Sequence, residues 1–547
     1  MSRILSIVMM LVVLLFGVFL GSRLHGSGGD KFDEQKKIME AYSLMKALYV
    51  DEVNTDSLMG AGIQGMAEYL DPHTVYLQPE AVSYSQAEFD GNFDGIGIEF
   101  DIAKDTLMVV TPLAGGPSAA AGLASGDRIL AIDAASALGI TQQEVMRKLR
   151  GKRGTQVRLQ IFRPMTRKQF TVSVTRDKIS TSSIDAAFML DKQSGYIRLS
   201  RFIATTADEF RKALDGLKKQ GMRRLIIDLR GNPGGFLEQA VAVADEFLTT
   251  DQLIVYTKSR KGGEENSRYV AKSGDGFEQG EVIVLQDKGS ASASEILAGA
   301  LQDNKRAHVV GDLSFGKGLV QRQIPFDDGS AIRLTVSRYY TPSGRQIQHV
   351  YHKGAAGREQ YYKEAMTTIL PQKLFAHSDA QLYLKNRDVA VYKTSSLPLT
   401  LKSLKKDTGN AELIALKDAG GIIPDYWVTN ERTSPFYQEL LQSGVLDVLA
   451  RKLLDNPRSQ VQRYRQSLEQ FVAGYSEESG FEALLLKTCN ESNIRFDHAG
   501  FVRERKYITD ALKARLAHHL FGAKGQIEFV IKNTDPLIKI ATTVPAK

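Results

Sequence analysis

A chain of 547 residues exceeds one ordinary domain, and 43% hydrophobic residues suffice for real cores, which excludes wholesale disorder. The formal charge of +7 is small for that length, and no Lys/Arg run or interleaved aromatic stripe marks a nucleic-acid surface. A single cysteine, Cys489, excludes an intrachain disulfide and a zinc cluster built on several thiolates.

Residues 1–24 read as a membrane anchor. Arg3 supplies positive charge, and ILSIVMMLVVLLFGVFLG follows without a charged residue, close to the length that spans a bilayer. Ser22-Arg23-Leu24-His25 offers no convincing small-x-small cleavage site, so an uncleaved anchor is expected, with a cleaved signal peptide as the alternative. Either way the rest of the chain is expected to work outside the cytoplasm. GSGGD, Gly26 to Asp30, is a short linker inside a helical region at 25–88. There the spacing predicts a helix over 32–70 with Ile38, Tyr42, Leu44, Met45 and Leu48 on one stripe, ended by Asp71-Pro72.

Residues 89–177 change character. GNFDGIGIEF is glycine-rich and then alternating, DTLMVVTPL and QVRLQIF read as strands, and GPSAAAGLASGDRILAID reads as a short helix, a turn and a strand. From 178 to 348 strands and helices alternate. GYIRLSRF, RRLIIDLR and EVIVLQ are strands. Thr206 with Glu209 is a candidate capping box opening a helix through Phe210, Leu214 and Leu217, and FLEQAVAVADEFL is a second helix. This alternation predicts an α/β domain with helices packed on a sheet. Residues 349–419 are polar with little periodicity, 420–430 return to the core, and 431–547 are helix-rich, with FYQELLQSGVLDVLARKLL and YITDALKARLAHHLF as the clearest runs.

The chemistry-bearing stretch is KGSASASEILAGALQDN, Lys288 to Asn304. Ser292 with Glu295 fits a capping box, in which Ser292 only caps the following helix. Equally, a serine at a helix N-terminus sits where unpaired amides favour a developing negative charge, provided that a base takes its proton. His308 is the nearest histidine, although it reads as part of a buried strand. SFGKGLVQ offers a different base: Lys317 lies between two glycines, and Gln321 stands an even number of positions on, hence on the same side of a strand. A lysine serves as base only where burial lowers its pKa. A surface lysine in a turn fits the spacing as well.

GSASASEILAGALQD followed by GKGLVQ resembles the carboxyl-terminal processing peptidases, also called tail-specific proteases. So do LDPHTVYL, GIGIEF, GPSAAAGLASGDRILAID, LRGKRGTQVRL, IIDLRGNPGG, SRYYTPSGRQIQ and GGIIPD, in that order, over about 35–350 and again near 420. The resemblance implies a multi-domain α+β protein: a crotonase-like peptidase core with a PDZ domain at 89–177 and helical terminal regions. It implies Ser292 as nucleophile, Lys317 as base and Gln321 as its assistant. Ala293 and Gly234, with Gly235 beside it, would supply oxyanion amides. Gly95, Ile96, Gly97 and Ile98 would form the loop that captures a substrate's C-terminal carboxylate. No metal or organic cofactor is implied. The implied partners are proteins or peptides with exposed C-termini, the membrane and a second copy of the chain, at a bacterial inner membrane facing the periplasm. Two other readings stay open: a membrane-tethered PDZ adaptor on an inactive scaffold, and a Ser–His hydrolase using His308. The insertion at 349–419 departs from the family, which joins its SGRQIQ-like and GGIIPD-like blocks by a short link.

Overall fold

In the computed structural model the described residues are 34–103, 105–113, 115–260, 262, 266–272, 276–365, 380–384, 389–394, 420–429 and 433–545. The expected anchor at 1–24 lies outside them, and among the described residues no helix is long and apolar enough to cross a membrane. The chain divides into two units, 1–69 and 70–547. In the first, the expected single helix is two, Glu34–Leu48 and Thr55–Leu70. Asn54 makes the break: its side-chain oxygen accepts from the Ser57 amide at 2.9 Å, an N-cap that starts a new helix. No residue of Glu34–Leu48 is buried, so its apolar stripe, Ile38, Leu44, Met45 and Leu48 included, faces outward.

The second unit is built on an eight-stranded sheet. Its order is Ile184–Met189, Ser194–Leu199, Arg224–Asp228, Glu281–Gln286, His308–Gly311, Tyr426–Val428, Val389–Lys393 and Ala380–Leu384. The middle of that order, from Ser194–Leu199 to Tyr426–Val428, is parallel. Parallel strands buried on both faces need continuous apolar runs, which RLIID and VIVL supply. Helices Thr206–Lys219, Leu237–Asp245 and Ala293–Asp303 cover one face, with Phe210, Leu214, Val243, Ala244 and Leu297 in the shared core. The expected capping box at Thr206 does not form. Thr206 Oγ1 accepts from the Ile203 amide at 2.8 Å, and Glu209 turns to Ser182 and Ser183.

A second sheet joins Val75–Leu77, Ala331–Tyr340, Leu253–Lys258 and Arg268–Val270, with Leu319–Pro325 paired to Ala331–Tyr340. The segment at 349–419 is not merely a surface addition. Two of its strands extend the main sheet, and Val389 and Val391 enter the core with Tyr426 and Val428.

The small module is a six-stranded sheet with a helix at Gln142–Leu149. Its entry and exit strands, Asn92–Gly95 and Asp177–Ser180, pair antiparallel and close it off from the rest. The C-terminal region is helical as expected, from Pro435–Gln442 to Pro536–Thr543. FYQELLQSGVLDVLARKLL divides at Gly444, whose φ of 71° is left-handed.

Candidate active site

The nucleophile candidate stands where a parallel strand ends and a buried helix begins. Glu281–Gln286 runs into a turn, and Ser292 then caps the Ala293–Asp303 helix with φ 55° and ψ −112°, an uncommon backbone for a residue with a side chain. The Glu295 amide meets the Ser292 carbonyl oxygen at 2.9 Å. The other two serines hold local backbone. Ser290 Oγ donates to the Leu229 carbonyl at 2.8 Å and Ser294 Oγ to the Asn232 carbonyl at 3.0 Å.

A cleft of about 750 Å³ brings Ser292, Ala293, Gly234, Gly235, Lys317 and Gln321 together. Its walls are mixed: Phe89, Phe202, Phe236 and Ile296 offer apolar surface for side chains, and Glu88, Arg201, Gln323 and Arg333 offer polar groups for a peptide backbone. Burial pushes the Lys317 ammonium down from the ordinary lysine value to about 8, and the Arg333 charge pushes the same way. Glu295 and Asp71 oppose them. Lys317 precedes the Leu319–Pro325 strand, and the pairing of that strand slips between Val320 and Gln321. Parity along a regular strand is therefore not what brings Lys317 and Gln321 into one cleft. His308 does not line the cleft: it pairs in register with Ile283, nine residues before Ser292, and its Nδ1 lies 3.9 Å from Asp425.

Glu295 fastens the two catalytic candidates to each other. Its fully buried carboxylate accepts from the Ser292 amide at 2.7 Å, the Lys317 amide at 2.9 Å, the Gly316 amide at 2.7 Å and Ser314 Oγ at 2.6 Å. Four donors and no acceptor suit the anion, although burial raises its pKa. Tyr339 adds a second tie: its hydroxyl donates its one hydrogen to the Lys317 carbonyl and lies 3.1 Å from the Ser292 carbonyl.

Gly234, expected to give an oxyanion amide, has that amide on Asn232 Oδ1 at 2.9 Å. Its φ is +98°, and a Cβ there would stand 2.8 Å from Ser292 Cβ, so close packing against Ser292 is what demands glycine. Ala293, at the first helical position, belongs to the turn whose amides lack intrahelical acceptors.

The sequence reading missed Asp71 and His73, both buried. Asp71 accepts from the His73 and Thr74 amides at 2.8 and 2.9 Å, from Thr74 Oγ1 at 2.5 Å and from Thr335 Oγ1 at 3.2 Å. Gln321 Nε2 reaches the same Thr335 oxygen at 3.4 Å. The signal was LDPHTVYL, legible as a landmark but not as part of the site.

In the small module, Gly95-Ile96-Gly97 joins two strands. The Ile96 carbonyl accepts from the Ser118 amide and hydroxyl at 3.0 and 2.6 Å, and the Gly97 carbonyl from the Leu113 amide at 3.0 Å. With these carbonyls engaged and Gly97 at φ +71°, the loop forms a tight turn ahead of strand Ile98–Ala103. That strand pairs only with Thr106–Pro112 among the described strands, which leaves an edge for an added peptide strand. Among the described residues no cluster of His, Cys, Asp and Glu could hold a metal.

Comparison with known proteins gives a consistent set. Peptidase family S41 matches residues 193–354, a PDZ domain 95–174, the activating protease CtpB N-terminal domain 22–81, and a family of unknown function (DUF8443) 436–522. Carboxy-terminal processing protease CtpB of Bacillus subtilis is 38% identical over 314 residues, which are 57% of this chain and 65% of that protein. The carboxyl-terminal-processing protease of Synechocystis is 34% identical over 394 residues, 67% of this chain and 90% of the relative. Among solved structures, a photosystem II D1 C-terminal processing protease is 29% identical and covers 58% of this chain and 90% of its own, with a TM-score of 0.34.

Proposed function

The chain belongs to the carboxy-terminal processing proteases, serine-type peptidases of family S41 that carry a PDZ domain, and from that premise we propose how its own residues act. It is an endopeptidase that cleaves exported proteins near their C-terminus by a Ser292–Lys317 pair assisted by Gln321. The observation that carries this reading is the cleft shared by the three side chains, with Lys317 held near pKa 8.

The PDZ loop at Gly95–Ile98 takes the substrate's terminal carboxylate, and the chain upstream lies in the cleft. Neutral Lys317 accepts the Ser292 proton while Oγ attacks the carbonyl carbon. The oxyanion is held by the Ala293 amide and a second glycine amide. Gly235 is assigned the second place, because the Gly234 amide is engaged by Asn232. Lys317 returns the proton to the leaving amine, and water then cleaves the acyl-enzyme. Removing one oxyanion donor costs roughly a hundredfold in rate.

Two placements accompany the mechanism. The uncharged run within residues 1–24 anchors the protein in a bacterial inner membrane with the catalytic part in the periplasm; deleting it should release the protein from membranes. A second copy covers the outward apolar stripe of Glu34–Leu48, where Ile38 is 52% and Leu48 75% exposed. Leu48→Glu should shift the sedimenting species to a monomer.

The decisive experiment measures cleavage of an unfolded protein with an apolar C-terminus by the full chain and by folded Ser292→Ala, Lys317→Ala and His308→Ala variants. Loss in the first two and retention in the third is the expected result. Activity that survives Lys317→Ala would overturn the pair. Peptide binding without cleavage by the wild type would hand the function to the adaptor reading.

A further inference from the structure

The segment that separates SGRQIQ from GGIIPD also reaches the active site from behind. Its helix Ala355–Ala365 lays Tyr361, 1% exposed, against the loop that carries Lys317: the Phe315 ring lies 6.1 Å from the Tyr361 ring. The same helix grips Asp71–Thr74, since Tyr362 Oη donates to the Pro72 carbonyl at 2.9 Å and Arg358 to the Thr74 carbonyl at 3.2 Å.

Hydrogen bonds run from the residue after Lys317 to Gln321 through Tyr361. The Gly318 amide donates to Gln348 Oε1 at 2.9 Å. Gln348 Nε2 donates to the Tyr361 hydroxyl at 3.3 Å. That hydroxyl meets His73 Nε2 at 3.0 Å and, having accepted from Gln348, donates to it. Burial, with the Lys317 charge behind it, pushes His73 down to about 3, so its ring is neutral and can accept. The His73 amide bonds Asp71 Oδ1 at 2.8 Å, Thr335 Oγ1 bonds the same oxygen at 3.2 Å, and Gln321 Nε2 reaches Thr335 Oγ1 at 3.4 Å. The path begins at the residue that follows the candidate base and ends at Gln321, which shares its cleft.

We propose that Tyr361 is a positioning residue for Lys317: the inserted helix supplies the hydroxyl that joins the Gly318 side of the base loop to the Asp71–Gln321 side. This rests on the Ser292–Lys317 reading. Among the described residues only Tyr361 bridges the Gln348 and His73 side chains, so its loss removes the tie on the Gly318 side of the base and lets that side loosen and hydrate, while Glu295 and Tyr339 still hold the Gly316 and Lys317 backbone. The charged groups acting on Lys317 are Arg333, which lowers its pKa, and Glu295 and Asp71, which raise it; His73, which feels the Lys317 charge, stays neutral.

The test is the pH dependence of kcat and KM for the full chain, with Tyr361→Phe, which keeps the ring, and Gln348→Met, which cuts the path one step nearer Gly318. Each variant is also melted. The expected result is an unchanged KM, kcat lower by roughly tenfold to a hundredfold, and an acid limb moved upward from about 8 toward the ordinary lysine value. Either variant keeping wild-type kcat and acid limb overturns the inference. So does a loss of activity that follows only the folded fraction, with the limb unmoved. Lys317→Ala is run beside them: if it stays active, the underlying pair fails, and that outcome is separable from failure of Tyr361 alone.

Discussion

At the residue scale, Glu295 carries the heaviest duty for its size. Sequence pattern assigns it to a capping box, and its carboxylate does take the Ser292 amide. The same carboxylate takes the Lys317 and Gly316 amides, so one side chain sets the spacing between the proposed nucleophile and base. In Glu295→Gln one carboxylate oxygen becomes an NH2 that faces donors. Each buried donor left without an acceptor costs about 1–3 kcal/mol. The expected outcome is a lower melting temperature and at least a hundredfold loss of kcat, read by calorimetry and steady-state kinetics. Asp71→Asn separates charge from geometry. Asp71 raises the Lys317 pKa, so removing its charge lowers that pKa further below about 8. With neutral Lys317 as the proposed base, the acid limb should move to lower pH; a limb that stays put or moves up would show that the Asp71 charge does not act on that base.

At the element scale, the sheet and its helices were legible and several joints were not. EVIVLQ, RRLIIDLR and FLEQAVAVADEFL announce their elements because a buried parallel strand and an amphipathic helix each leave a periodic trace. The Ser292 turn was legible only as two competing readings, since a cap and a nucleophile use the same position. Asp71 and His73 show only as the landmark LDPHTVYL and Tyr361 not at all, because the contacts that bring them to the site are remote in sequence: Thr335 lies 264 residues from Asp71, and Tyr361 lies 288 from His73. The inserted strands were hidden for a related reason. Val389–Lys393 is short, and it joins the main sheet by pairing with Tyr426–Val428. That pairing predicts a cost. Val391 is 2% exposed, so Val391→Asp buries a carboxylate among Tyr426, Val428 and Ile538, with an expected loss on the order of 3 kcal/mol or more. Chemical denaturation measures it, and a wild-type midpoint would mean that this sheet edge is dispensable.

At the scale of the whole molecule, the C-terminal helices tie the PDZ domain to the peptidase core. Strand Ile98–Ala103, the edge offered to a peptide, turns Ile98, Phe100 and Ile102 toward the PDZ core and its acidic residues the other way. There Asp101 meets Arg451 at 3.3 Å and Glu99 meets His518 at 3.3 Å, while Arg128 on a neighbouring strand meets Asp455 at 2.7 Å. Helix His498–Asn533 supplies His518, kinks at Gly522 and continues to the main sheet, where Lys532 lies over Phe188 at 4.9 Å. Just beyond its end Asp535 pairs at 2.7 Å with Arg230, at the start of the GNPGG turn that lines the cleft. Two helices joined at Gly522 thus run from the strand proposed to receive the peptide to the turn that lines the cleft. The pairs are partly buried, so they are screened less than surface pairs and hold orientation more than they add stability. Arg451→Ala combined with Asp455→Ala should therefore raise amide hydrogen exchange across Ile98–Pro112 by roughly tenfold, leaving exchange in the buried Ala293–Asp303 helix unchanged. Peptide cleavage should then lose its dependence on the substrate's C-terminal residue before it loses kcat, because the captured end no longer has a fixed distance to Ser292. Unchanged exchange in those strands would show that the ion pairs do not hold the PDZ domain, and the kinked helix would then be packing support alone.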